Sequence, residues 1–147
     1  MAFRFTLAPI LRLRQSIERQ RTLALQEVSL QVARAQETLT QLDGFLSNSA
    51  QSDSKNLATG RSAAELQFAA ALRDNLLQFR RGLQSDVGKL ELARQQAVAA
   101  YHQAYRDREL LETLRLRQLR DYREEQSRRE QQELDAAYLL QRWHRRS

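Results

Sequence analysis

Three groups of side chains in this sequence have types suited to chemistry. The first is a run of acids, Glu124, Glu125, Glu130, Glu133 and Asp135, with enough carboxylates to collect a divalent cation. Arg residues interleave with them, and that spacing favours a salt-bridged helix face over a metal site. The second is a pair of histidines, His102 and His144, far apart in sequence. His102 falls off the apolar seam described below, which makes it a solvated side chain rather than a ligand or base. The third is a cluster of Arg4, Arg12, Arg14, Arg19 and Arg21, suited to phosphates or to an acidic protein surface. Elsewhere acids alternate with Arg, which argues against a continuous phosphate track and makes nucleic acid the minor reading. No HExxH, no phosphate-cradling glycine loop and no GxSxG occurs. Cysteine is absent, so no disulfide framework or thiolate metal site is available. The expectation is a non-enzyme with no catalytic, cofactor-binding or metal residue and no small-molecule substrate.

The elements that would carry these groups are helices. Only four Gly and one Pro occur in 147 residues, which leaves little room for the turns of a sheet. Leu, Ala, Glu, Gln and Arg dominate, and they favour helix. Stepping by three and four from Ala69 gives Ala69, Leu72, Leu76, Phe79, Leu83, Asp86, Leu90, Ala93, Ala97, Ala100, Ala104, Asp107, Leu111 and Leu114. All but the two Asp are apolar, and a seam of this period must bury against another helix. A first seam runs Ile10, Leu13, Ile17, Gln20, Ala24 and resumes out of step at Val28, Val32, Ala35, Leu39, Leu42 and Leu46, as in a stutter. Thr6 is a fair N-cap for the first helix, and Ser62 with Glu65 forms a capping box for the second.

The predicted fold is all-α: a long two-helix antiparallel coiled coil, or helical hairpin, with a C-terminal single-helix extension. Helix 1 is placed at about 6–46, a Ser- and Asn-rich connector at about 47–61, and helix 2 at about 62–143, in a single domain. Gly82 and Gly88 lie inside helix 2 and are read as tolerated. Matching the seams pairs Leu46 with Ala69 and Ile10 with Tyr105, so the paired part ends near Leu114. The alanines at 93, 97, 100 and 104 bury little area and make the middle modestly stable. A second copy could also satisfy the seam, so a monomer and a weak homodimer are both compatible with it.

Charge is uneven along the chain. Residues 1–23 carry five Arg against one Glu, residues 24–105 balance, and residues 106–147 carry eleven Arg against nine acids. No run of 18 apolar residues exists to span a membrane. Arg12 and Arg14 interrupt any apolar leader, so no signal peptide is expected and the cytoplasm is the default location. Tyr138, Leu139, Leu140 and Trp143 recur at helical spacing beside Arg142, Arg145 and Arg146, which points to a protein interface at the tail.

The opening Phe3-Arg4-Phe5-Thr6-Leu7-Ala8-Pro9-Ile10-Leu11-Arg12 and the closing Arg128-Arg129-Glu130-Gln131-Gln132-Glu133-Leu134-Asp135-Ala136-Ala137 resemble the ends of the FliJ family of flagellar type III export proteins. Glu65-Leu66-Gln67-Phe68 is similar to the start of that family's second helix. Gln132 stands where the family commonly has Lys, and Ala136 where it has Glu, so charge there is weaker. The resemblance implies a cytoplasmic protein at the export apparatus, peripherally associated with the inner membrane. It implies a stalk-like coiled coil that binds and activates the flagellar export ATPase, contacts the export gate membrane protein and escorts export chaperones. On that reading Arg4, Arg12, Arg14, Arg19, Arg128, Arg129, Glu133, Asp135, Tyr138 and Arg142 face the ATPase. Phe68, Leu72 and Phe79 are export-gate candidates, although Leu72 and Phe79 are equally in phase with the seam. A stalk of a related injectisome system and a general coiled-coil adaptor are the alternatives.

Overall fold

The computed structural model describes residues 2–57 and 60–147, with residues 56 and 57 by backbone only. It contains two long helices packed against each other as a hairpin: α1, Ala8–Leu57, and α2, Ala63–Arg146. No strand occurs among the described residues. Helix α1 continues through the Ser- and Asn-rich stretch expected as connector from residue 47, ending only at Leu57. Polar residues disfavour burial more than they disfavour helix, and this turn-like composition encodes a solvated helix. Residues 58 and 59 of the expected connector lie outside the described residues. Gly60 then takes φ +83°, a left-handed conformation that glycine adopts without a Cβ clash. Ser62 caps α2 as its spacing predicts: its Oγ accepts the Glu65 backbone N–H at 3.3 Å. At the start of α1 the cap shifts by one residue. The Leu7 carbonyl, rather than that of Thr6, accepts the first helical bond, from Leu11 N–H at 2.9 Å.

Helix α2 passes Gly82 and Gly88 without a break. Both glycines face open space, so only their backbone entropy weakens the helix there.

The described residues fall into two compact units. One is Gln20–His102. Its contact face on α1 runs Leu25, Val28, Val32, Leu39, Leu42 and Leu46; on α2 it runs Leu76, Leu83, Val87, Leu90 and Ala97. Val32 is 3% exposed. Polar bonds flank these aliphatics: Gln36 Nε2 donates to Glu91 Oε1 at 3.0 Å, and Arg80 pairs with Asp43. Asp53 meets Arg61 at 3.0 Å. Partner numbers fall along α2 as they rise along α1, which makes the pairing antiparallel.

The other unit is the chain through Arg19 together with Gln103–Ser147. Phe5, Leu11 and Ala104 are its buried residues. The non-helical start lies against α2, with the Phe3 and Tyr122 rings 5.5 Å apart.

Three expectations change. Ile10 and Leu13 are exposed, and the contacts of α1 lie instead at Leu11, Arg14 and Glu18. From these, Leu25, Val28 and Val32 follow in ordinary steps, so no stutter is needed. On α2, Phe79 and Asp86 are exposed and Arg80 and Val87 take their places. The pairing is also displaced by about two helical turns from the expected register. Arg14 meets Asp107 and Phe3 meets Tyr122, so the contact face continues past Leu114 through Gln118, Tyr122 and Gln126. The polar seam positions concealed this phase, because a count of apolar residues skips Arg14 and Glu18.

Candidate functional site

Two surfaces hold the residues singled out from the sequence, one in each unit. In the terminal unit, every residue from Ser127 to Ser147 is exposed. The helix is maintained there without packing, by strong helix formers and local pairs. Arg129 Nε bonds Glu125 Oε1 at 3.3 Å, and Gln131 Nε2 donates to Asp135 Oδ1 at 3.0 Å. Arg128, Glu133, Tyr138 and Arg142 project into solvent from this segment, as do Leu139, Leu140 and Trp143. Arg4, Arg12 and Arg19 are exposed in the same unit. Arg14 is half-buried, and Asp107 Oδ2 holds its guanidinium at 3.4 Å.

Asp107 belongs to a polar layer that composition and motif searching do not reveal. Arg108 bonds Glu18 and reaches Glu109 Oε2 at 3.4 Å, and its guanidinium carbon lies 5.1 Å from the Tyr105 ring centre. Burial disfavours the Arg108 cation, yet the hydrogen bond and charge of Glu18, with the charges of Glu109 and Tyr105, together outweigh it and raise the Arg108 pKa. The signal that could have found this layer is Asp107 itself, a charge at a seam position in need of an opposite charge one helix away.

In the other unit, an open groove of about 700 Å³ lies at the connector end of the helices. Leu46, Phe68, Ala69, Leu72 and Leu76 form its apolar floor, and Asp53, Arg61, Glu65 and Arg73 its polar rim. Phe68 is 72% exposed and Leu72 45% exposed. The structure thus brings Phe68 and Leu72 together in one concavity. Phe79 is exposed but does not line it.

The groups suited to catalysis do not converge. The His102 ring lies tilted beside that of Tyr101 and the His144 ring edge-on to that of Trp143, in different units. No group of three or more His, Cys, Asp or Glu able to hold a metal ion occurs among the described residues. Among the described residues, no helix is long and apolar enough to cross a membrane. What the arrangement offers is surface: a bare charged helix with exposed aromatic and aliphatic side chains, and an apolar groove.

No curated protein and no solved structure matches the chain. One family does match, described as flagellar FliJ protein, over residues 3–147. That span takes in both ends of the chain, the groove and the bare helix, so the chain belongs to the FliJ family and its role is a flagellar export-related one.

Proposed function

We propose that this protein is a non-enzymatic stalk that binds and activates the flagellar export ATPase hexamer, contacts the export gate and escorts export chaperones. The observation that carries the reading is the 20-residue run of helix exposed at every position, Ser127–Arg146, in a chain matched over residues 3–147 by this family. A helix exposed at every position has its whole circumference free for partners, and it fits the central opening of a ring of subunits. Arg4, Arg12 and Arg19, with Arg128, Arg129, Glu133, Asp135, Tyr138 and Arg142, are the contacts assigned to the ATPase. Arg14 contributes from within the hairpin by its pair with Asp107. Phe68 and Leu72 are assigned to the export gate through the groove, with Phe79 beside it on the exposed surface. Chaperones share these exposed surfaces, and the membrane is reached through the gate protein rather than by a span of this chain.

The test is hydrolysis. Purified protein is added to the flagellar export ATPase, and phosphate release is followed. Stimulation is expected, reduced several-fold by Tyr138→Ala with Arg142→Ala and unchanged by Phe68→Ala. Absence of both binding and stimulation would sink this reading.

A further inference from the structure

The spacing of the contact face does not stop where contact stops. Along α2 the half-buried positions Leu111, Arg115, Gln118, Tyr122 and Gln126 advance by four, three, four and four. Steps of three and four in turn carry the same face on through Arg129 and Glu133 to Ala136, Leu140 and Trp143. After a short polar interval the seam turns apolar again, on a helix that buries none of it: Leu140 is 61% exposed and Trp143 69%. Leu139, 62% exposed, lies beside them.

The charges around this face are ordered. Glu130, Glu133 and Asp135 precede it, and Asp135 is the last acid of the chain. Arg142, Arg145 and Arg146 follow, and none of the three has an ion-pair partner among the described residues. A helix acidic at one end and basic at the other complements itself when reversed.

We propose that residues 132–146 pair antiparallel with the same segment of a second copy. With the pair centred between Leu139 and Leu140, helical rotation of 100° per residue sets Asp135 of one copy beside Arg142 and Arg146 of the other, on the same flank. Two-fold symmetry repeats that contact at the opposite end. A parallel pair would instead set the Arg groups of the two copies against each other, so charge selects the antiparallel arrangement. The apolar strip is short, so the dimer forms by mass action at raised concentration rather than as an obligate assembly. Where the tail also serves the ATPase, a point that rests on the function proposed above, self-pairing hides the tail and opposes that contact.

The experiment is sedimentation of the full chain alone, from low micromolar to near-millimolar concentration. The expected mass rises from 17.2 kDa toward twice that value. Arg142→Asp with Arg146→Asp should hold it at one chain, and adding Asp135→Arg should restore the rise. The chain has no cysteine, so single thiols report the register. Leu139→Cys should oxidise to a covalent dimer at high yield, and Gln132→Cys should not. A single-chain mass at every concentration would overturn the pairing and leave the face to a different partner. Equal crosslinking at both positions, or no rescue by the charge swap, would overturn the antiparallel register. Circular dichroism of each variant confirms that the helix is retained. Because the ATPase is absent, failure here leaves the hydrolysis test untouched, and the reverse also holds.

Discussion

In the Gln20–His102 unit the helices meet through Leu25, Val28, Val32, Leu39 and Leu42 on one side and Leu83, Val87 and Leu90 on the other, with ions only at the edges. In the terminal unit the corresponding positions carry Arg14 and Glu18, answered by Asp107 and Arg108. Aliphatic layers stabilise by area removed from water and are indifferent to small slips along the helix. A charged layer contributes little net stability, because desolvation offsets attraction, but it penalises every register that separates the partners. One unit supplies adhesion and the other alignment.

The largest test of this contrast is a charge placed among the aliphatics. Val32→Asp buries an unpaired carboxylate at the least exposed position, and should lower unfolding free energy by about 3 kcal/mol in thermal denaturation followed by circular dichroism. A melting temperature close to that of the parent would show that the aliphatic unit is not where adhesion resides. In the charged unit, Arg108→Ala should cost only about 1 kcal/mol, as expected of a partly solvated pair. Replacing both Glu18 and Arg108 by Leu should leave melting unchanged or raise it. The same double variant should lose alignment, read as a lower yield of the Phe3→Cys/Tyr122→Cys disulfide. If the yield holds, charge does not set the register.

Smaller effects sharpen the comparison. Gly82→Ala and Gly88→Ala should each stabilise by about 0.5–1 kcal/mol, because a Cβ at either site meets nothing and the helix gains propensity. The smallest effect concerns the edge pair. A hydrogen bond from Arg80, helped by its charge, holds the Asp43 carboxyl below its usual range against an opposing cost of desolvation. Its folded pKa is therefore lower than its unfolded one. The linked stability is fully present above the ordinary carboxylate range and is lost as pH falls from that range through the lowered folded pKa. Melting should accordingly differ between Asp43→Asn and the parent at pH 7 and converge in acid, and high salt should shrink the difference.

Helix content, antiparallel order, the Ser62 cap and the exposed tail were all legible in the sequence, because each follows from local composition or period. Register was not. Period analysis rewards apolar residues, and Ile10 and Leu13 lie one position from the true contacts Leu11 and Arg14. That error set the wrong faces together, and matching the ends of the two apolar seams, with the first helix taken to stop near Leu46 rather than Leu57, moved the pairing and ended it too early. The groove was legible only in part: Phe68 and Leu72 drew attention as exposed apolar groups, whereas its rim of Asp53 and Arg61 depends on helix continuing through a stretch that reads as loop.

The chain has a single tryptophan, and it stands on the unpacked terminal helix. Its indole is already hydrated in the folded protein, so emission wavelength will scarcely register loss of the hairpin. An unfolding curve recorded at that wavelength would look flat for a protein that is melting. The same blindness makes the residue a quiet reporter, since any blue shift at Trp143 signals that something has covered the tail.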